Sequence, residues 1–292
     1  MASSSVRALR AVGGRCLLQR TNASPSAASC HGGARRGLGH AESTLVHAES
    51  TGSVVQVSNQ KHWTAFMYGR ERQLLVHVVN SVEEGDTDGV LQSMDDFWGH
   101  HFGMKGADSW SVRKGLLDNT MKSKRPERCL ELGTYCGYSA LRIAQSLPEH
   151  GKLVSIEVDP LFGAIATKII EYAGLRDKVK VLTGTVDTKL RRIQEVLARP
   201  GEDLDAVRLN FVLCDHSKDR FVPDLELLEN AKLVGPGTIV MGDTTLYPGE
   251  DASGGGPNLL SHFAANDKFR IQQHIGTDKS SGITVCEWQH VV

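Results

Sequence analysis

Long apolar runs are missing from this sequence: no stretch approaches the roughly 20 residues that a membrane-spanning helix needs. No membrane span is therefore expected. An excess of one charge sign is missing too, since 33 Lys and Arg stand against 34 Asp and Glu in 292 residues. Without a basic stripe interleaved with aromatics, a nucleic-acid partner has no support. Cysteines spaced for pairing are also absent. Cys16, Cys30, Cys129, Cys136, Cys214 and Cys286 are scattered, and three of them sit in or beside apolar runs. That pattern reads as reduced thiols, and it argues against a disulfide framework or a zinc site. What remains is a chain of ordinary globular composition, long enough for one large domain and an extension.

The extension is marked by a further absence. From Met1 to Ala41 no acidic residue occurs, while Arg7, Arg10, Arg15, Arg20, Arg35 and Arg36 lie among Ser, Ala and Gly. This is the composition of an organellar transit peptide. Residues 1–60 are therefore expected to be a disordered address for mitochondria or plastids, with a cytoplasmic location as the alternative. The folded domain is expected over 61–292.

From about Gln73 the pattern becomes regular. "LLVHVVNSV", "GVLQSMDDFWGHH" and, more weakly, "SVRKGLLDNTMKS" place apolar residues at helical spacing. Five short runs rich in Val, Ile and Leu follow: "RCLELG", "KLVSIEVD", "KVKVLTG", "LNFVLCDH" and "GTIVMGDT". Between them lie helical stretches such as "YSALRIAQSL", "LFGAIATKIIEYAG", "TKLRRIQEVLA" and "DLELLENAKLV". This alternation predicts a doubly wound, mostly parallel α/β sheet. "FRIQQHIG" and "GITVCEWQ" around a polar turn predict a closing antiparallel hairpin, which brings the sheet to seven strands.

In such sheets ligands bind beyond the carboxyl ends of the strands. Those ends carry Glu131 with "GTYCGYS", Glu157 with "VDP", Gly184 with "TVD", Asp215 with "HSK" and Asp243 with "TT". Gly133 and Gly137 let the backbone turn tightly towards a ligand, and the helix beginning near Ser139 offers free amides. Such a turn also serves packing in many α/β proteins. The dinucleotide pattern G-x-G-x-x-G is not met, but an acid such as Glu157 at the end of the second strand suits a ribose diol, so a nucleoside-bearing cofactor is expected. Asp215 and Asp243 on neighbouring strand ends offer hard oxygen donors of the kind Mg²⁺ takes. Lys218, three residues beyond Asp215, is placed to act as a general base.

These segments, "LELGTYCGYSA", "SIEVDP", "DHSKDR" and "GDTTLYPG", together with "LLVHVVNSVEEGDTDGVLQSMDDF" and "RKG" upstream, resemble the catechol O-methyltransferase family. The likeness runs from about Gln73 to Val292. It implies a Rossmann-like methyltransferase fold, S-adenosylmethionine and Mg²⁺ as cofactors, and a small-molecule acceptor, catechol or phenol, handled by a monomer. By position, it implies that Glu131, Gly133, Tyr135, Gly137, Ser139, Gly184 and His216 line the cofactor pocket, and that Glu157 holds the ribose. It implies that Asp215, Asp243 and Thr244 bind metal and that Lys218 is the catalytic base. Met104 corresponds to a residue near the methyl donor.

The departures from the family point elsewhere. Thr244 stands where the family has asparagine, and its hydroxyl is a poorer metal ligand. Ser217 stands where the family has tryptophan, which removes an aromatic wall from the acceptor pocket. Asp278 is the one acid near the position of a second catechol-holding glutamate. A cofactor-binding protein without activity, and a methyltransferase for another acceptor such as a thiol or monophenol, are the alternatives.

Overall fold

The computed structural model describes residues 69–102, 108–243, 259–265, 267–275 and 282–289. The expected transit segment, Met104, Thr244 and Asp278 lie outside the described residues. Three helices come first: α1 (Gly69–Ser81), α2 (Thr87–Phe102) and α3 (Asp108–Lys124). The alternating part follows as β1 (Arg128–Leu132), α4 (Tyr138–Ser146), β2 (Lys152–Glu157), α5 (Pro160–Tyr172), β3 (Val179–Thr183) and α6 (Val186–Leu197). It continues through β4 (Phe211–Cys214), α7 (Phe221–Asn230), β5 (Ile239–Asp243) and α8 (Leu259–Ala264). It closes with β6 (Phe269–Ile275) and β7 (Gly282–Trp288).

The sheet order is β3-β2-β1-β4-β5-β7-β6. The first five strands are parallel, β7 lies antiparallel between β5 and β6, and the expected hairpin pairs Phe269 with Trp288 through to Ile275 with Gly282. The seven-stranded α/β sheet expected from the sequence is therefore the one formed. β1 to β3 run one way across the sheet and β4 begins the other half, so the order reverses between β1 and β4. At that reversal the connections diverge to opposite faces and leave a crevice.

The strands read as apolar runs because both faces are covered. Cys129, Phe211, Leu213, Ile239 and Met241 pack in one core with α1 to α5. Leu130, Leu132, Val212, Cys214 and Val240 pack in the other with α6, α7 and α8. Successive residues thus alternate between cores, as a pleated strand requires. Full burial of side chains such as Phe211 and Leu130 contributes about 1.5–3 kcal/mol each. Cys129, Cys136, Cys214 and Cys286 are buried free thiols. Burial pushes the Cys214 thiol up to about 12, which leaves it protonated and inert.

Local chemistry sets the boundaries. Asp159 caps α5, its carboxylate accepting from the amides of Leu161 and Phe162 at 2.8 and 3.3 Å, with Pro160 opening the helix. The helix expected over "DLELLENAKLV" instead begins at Phe221 and stops at Asn230. Lys232 takes a φ of 55°, and the Leu233 amide returns to the Leu228 carbonyl at 2.9 Å, which ends the helix and buries Leu233 and Val234.

Candidate active site

Gly133 decides the shape of the crevice. It has φ of 97°, and a Cβ there would meet the Asp215 carbonyl oxygen at 2.5 Å. Only glycine fits, so the chain leaving β1 lies directly against the chain leaving β4. The Asp215 amide donating to the Leu132 carbonyl at 2.8 Å fixes the approach. Glu131 and Asp215 are thereby brought to one rim.

The turn continues through Tyr135, a non-glycine residue at φ of 48°. That conformation costs about 1 kcal/mol and needs support. Its amide donates to Glu157 Oε2 at 2.8 Å, and its hydroxyl donates to Glu71 Oε1 on α1 at 2.6 Å. The Tyr135 ring lies between Trp98, stacked at 6.0 Å, and Phe162, edge-on at 4.9 Å. Glu157, buried at the end of β2, also accepts from the Asp159 amide at 2.9 Å. Gly137, at φ of 87°, precedes α4 and packs close to Ala166. Gly184, after β3, donates its amide to the Glu157 carbonyl at 2.8 Å.

Glu131 is fully buried. Its Oε2 accepts from Ser155, whose hydroxyl is linked to Thr134 at 2.5 Å. Oε1 has no hydrogen bond of good geometry, although Ser139 lies near enough to favour the ionised form. Burial pushes the carboxyl up to about 8 against the hydrogen bonds from Ser139 and Ser155; Asp215 adds to the rise and Arg113 opposes it. A buried carboxyl in that state suits a ligand that brings its own positive charge.

The β4 side is arranged differently. Asp215 forms an ion pair with the guanidinium of Arg113 on α3, both partly buried. His216 sets its Nε2 3.1 Å from Asp224 Oδ2 and its ring 5.0 Å from Phe221. Arg220 Nη2 donates to the other oxygen of Asp224 at 2.6 Å. Ser217 bonds Asp219, and Lys218, half-buried, opens a single 3₁₀ turn. Asp243 ends β5, one residue beyond Gly242, which pairs with Cys214, so its backbone is level with Asp215. Its side chain lies outside the described residues.

Arg113 is itself anchored through its neighbour. Lys114 Nζ donates to both oxygens of Asp95 at 2.7 and 2.6 Å and lies 5.1 Å over the Tyr138 ring. Burial lowers the Lys114 pKa, but hydrogen bonds and charges from Asp95 and Tyr138 outweigh it and the net direction is up. Tyr138 bonds Asp95 at 3.1 Å, and Arg142 bonds Tyr138 at 3.2 Å and pairs with Asp118. This ladder ties α2, α3 and α4 together beside the rim. A separate groove between α3 and the antiparallel strands, with Lys122, Lys124, Arg270 and Glu287 in its walls, lies at the amino end of β5 and contains none of the rim residues.

The residues brought together are therefore Glu131, Gly133, Tyr135, Gly137, Ser139, Glu157, Gly184, Asp215, His216 and Lys218. Reading the sequence missed Glu71, Trp98 and Arg113. The motif "RKG" held the only signal for Arg113, and nothing marked Glu71. The sequence model of the O-methyltransferase family matches residues 114–278. The chain belongs to the O-methyltransferase family. Membership makes it an S-adenosylmethionine-dependent O-methyltransferase.

Among its relatives, the catechol O-methyltransferase of Bos taurus is 33% identical over 205 residues, covering 68% of this chain and 68% of the relative. That of Mus musculus is 33% identical over 210 residues, covering 70% and 72%. The fold is that of the O-methyltransferase TomG from Streptomyces achromogenes, solved in complex with SAM, at a TM-score of 0.52. The two are 21% identical, covering 80% of this chain and 100% of that one.

The metal expectation meets a different result. A divalent cation on Asp215 needs that carboxylate open, whereas Arg113 already engages it. Among the described residues no group of three or more His, Cys, Asp or Glu could hold a metal ion. Of the three expected ligands only the Asp215 side chain lies among the described residues, and as arranged, engaged by Arg113, it is not open to Mg²⁺. No helix among the described residues is long and apolar enough to cross a membrane.

Proposed function

We propose that this O-methyltransferase methylates a hydroxyl of a catechol-like small molecule at the crevice between β1 and β4. The observation that carries the reading is the packing of Gly133 against the Asp215 carbonyl, which gathers the glycine turn after β1 and the Asp215–Lys218 loop on one rim. S-adenosylmethionine, when bound, supplies the methyl group on its sulfonium. Glu157 holds the ribose diol, with both oxygens already oriented by backbone amides. Glu131 meets the amino group of the methionine part, for which its buried Oε1 is suited. Tyr135, Ser139, Gly133, Gly137 and Gly184 shape the pocket, and His216 stands near the adenine.

On the other side Lys218 removes the proton from the acceptor hydroxyl. Holding the acceptor oxygen in line with the methyl group supplies most of the rate, because little else is needed once the oxygen is ionised and positioned. Ser217, small where relatives are aromatic, leaves a wider acceptor pocket, which favours catechols with bulky substituents or monophenols.

The test is incubation of the purified chain with S-adenosylmethionine and a panel of catechols, phenols and thiols, with and without Mg²⁺, followed by mass spectrometry. A methylated catechol or phenol is expected. Products on thiols alone would replace the acceptor class. No product while S-adenosylmethionine still binds would make the chain a cofactor-binding protein without this activity.

A further inference from the structure

The cation that the Asp215 carboxylate faces is a side chain. Arg113 projects from α3 into an ion pair with Asp215, with the two side chains 20% and 27% exposed. Its position is not left to a loose surface helix: the next residue, Lys114, is clamped by both oxygens of Asp95, and Asp95 is bonded in turn by Tyr138. A guanidinium stays protonated at any pH the protein meets, so its charge is permanent. Asp215 therefore starts neutralised, and a divalent ion entering beside it would meet a fixed like charge. The sequence agrees, because Thr244 offers the third metal position only a hydroxyl.

Resting on the proposed methyl transfer, we propose that this enzyme needs no divalent cation: Arg113 takes the cation's place at Asp215 and stabilises the ionised acceptor oxygen. The proton of the acceptor hydroxyl passes to the Lys218 amine. An oxygen lone pair then forms the new O–CH₃ bond as the S–CH₃ bond breaks, and its electron pair stays on sulfur. The sulfonium becomes the neutral thioether of S-adenosylhomocysteine, and Lys218 later returns its proton to water. No oxidant or further reactant is required. The guanidinium acts where negative charge gathers, in a partly buried site where such a charge counts for more than in water.

The experiment has two arms. Calorimetry titrates Mg²⁺ into the protein saturated with S-adenosylmethionine, and no saturable binding is expected. Saturable binding that disappears in Asp215→Asn would overturn the inference. In the second arm turnover is measured in a chelator and in excess Mg²⁺. Equal rates are expected, and activity confined to Mg²⁺ overturns the inference while leaving the proposed function standing. No turnover in either buffer defeats the proposed function instead, and the Mg²⁺ titration then decides the inference alone. Arg113→Ala is expected to lose about 100- to 1,000-fold in metal-free turnover, the usual effect of removing one electrostatic stabiliser. Arg113→Lys, which keeps the charge and protects against a folding artefact, should recover part of that loss. Unchanged metal-free rates in a folded Arg113→Ala protein would also overturn the inference.

Discussion

On the β1–β2 side of the crevice, both carboxylates are buried and their partners are hydroxyls and backbone amides: Ser155 for Glu131, and Tyr135 and Asp159 for Glu157. On the β4 side, Asp215 is more exposed and its partner is the side chain of a distant helix. The first half rests on a backbone turn and on buried carboxylates held by backbone amides and one hydroxyl. The second half is fixed by side-chain identity, which a single substitution alters without disturbing the fold. A family can therefore keep one donor while changing the acceptor and the means of activating it. In this chain Ser217 and Arg113 sit on the changeable half, and Glu157 and Gly133 on the constrained half.

The comparison breaks most sharply at Lys218. Lys218→Ala should lower turnover by about 100- to 10,000-fold, the range for a lost general base, while leaving S-adenosylmethionine affinity within about twofold. Raising the pH should restore part of the rate, because the acceptor then ionises without help. Turnover and calorimetry on the same preparation check both halves. Across the crevice the converse is expected. Glu157→Ala should weaken S-adenosylmethionine binding by about ten- to a hundredfold, as loss of hydrogen bonds to a charged group implies, with the far side of the site unchanged. Unchanged affinity would remove Glu157 from the cofactor site.

The same division explains what the sequence disclosed. Glu131, Glu157 and Asp215 were legible because each ends a strand whose apolar run is read directly, and the parallel arrangement brings all such ends to one edge. Gly133 was legible as a turn, but not as the contact that excludes a Cβ beside Asp215, since that depends on two segments 82 residues apart. Arg113 was marked only by the motif "RKG", and Glu71 by nothing. They reach the rim from helices that precede β1, and only the packing of α1 to α4 decides where their side chains end. The short helix α8 was likewise hidden, because six residues carry too little periodicity.

Glycine substitutions sharpen the comparison at smaller scale. Gly133→Ala adds a Cβ 2.5 Å from a backbone oxygen at a positive φ, and neither strand end can yield without moving β1 from β4. A loss of about 2–4 kcal/mol is expected, with cofactor affinity and turnover falling together. At Gly184 the new Cβ would meet Lys189 Cε at the same 2.5 Å, but that is the end of a flexible side chain. Gly184→Ala should therefore be milder, about 1–2 kcal/mol, from its φ of 144° together with a tight 3.0 Å contact to Thr188 Oγ1. Denaturant melts of the two variants give the comparison directly, and equal losses would show that strain, not contact, governs both turns.

The last effect expected is on the pH dependence of stability, and it comes from Glu131. Burial raises its carboxyl from the ordinary 4.5 to about 8 in the folded protein. The folded state thus holds a proton that the unfolded chain releases between those values. Its contribution is fully present below about pH 4.5 and is lost as pH rises through about 8. Glu131→Gln keeps the shape and removes the titration, so the melting temperature of the wild type should fall relative to this variant as pH rises from about 5 to about 8. A constant difference across that range would mean Glu131 is ionised throughout. Saturating S-adenosylmethionine refines the test. Its amino group beside Glu131 should favour the carboxylate, so binding near neutral pH should release a proton, read as a dependence of binding heat on the ionisation enthalpy of the buffer. Glu131→Gln should abolish that dependence, whereas Asp215→Asn, on the other half of the crevice, should leave most of it in place.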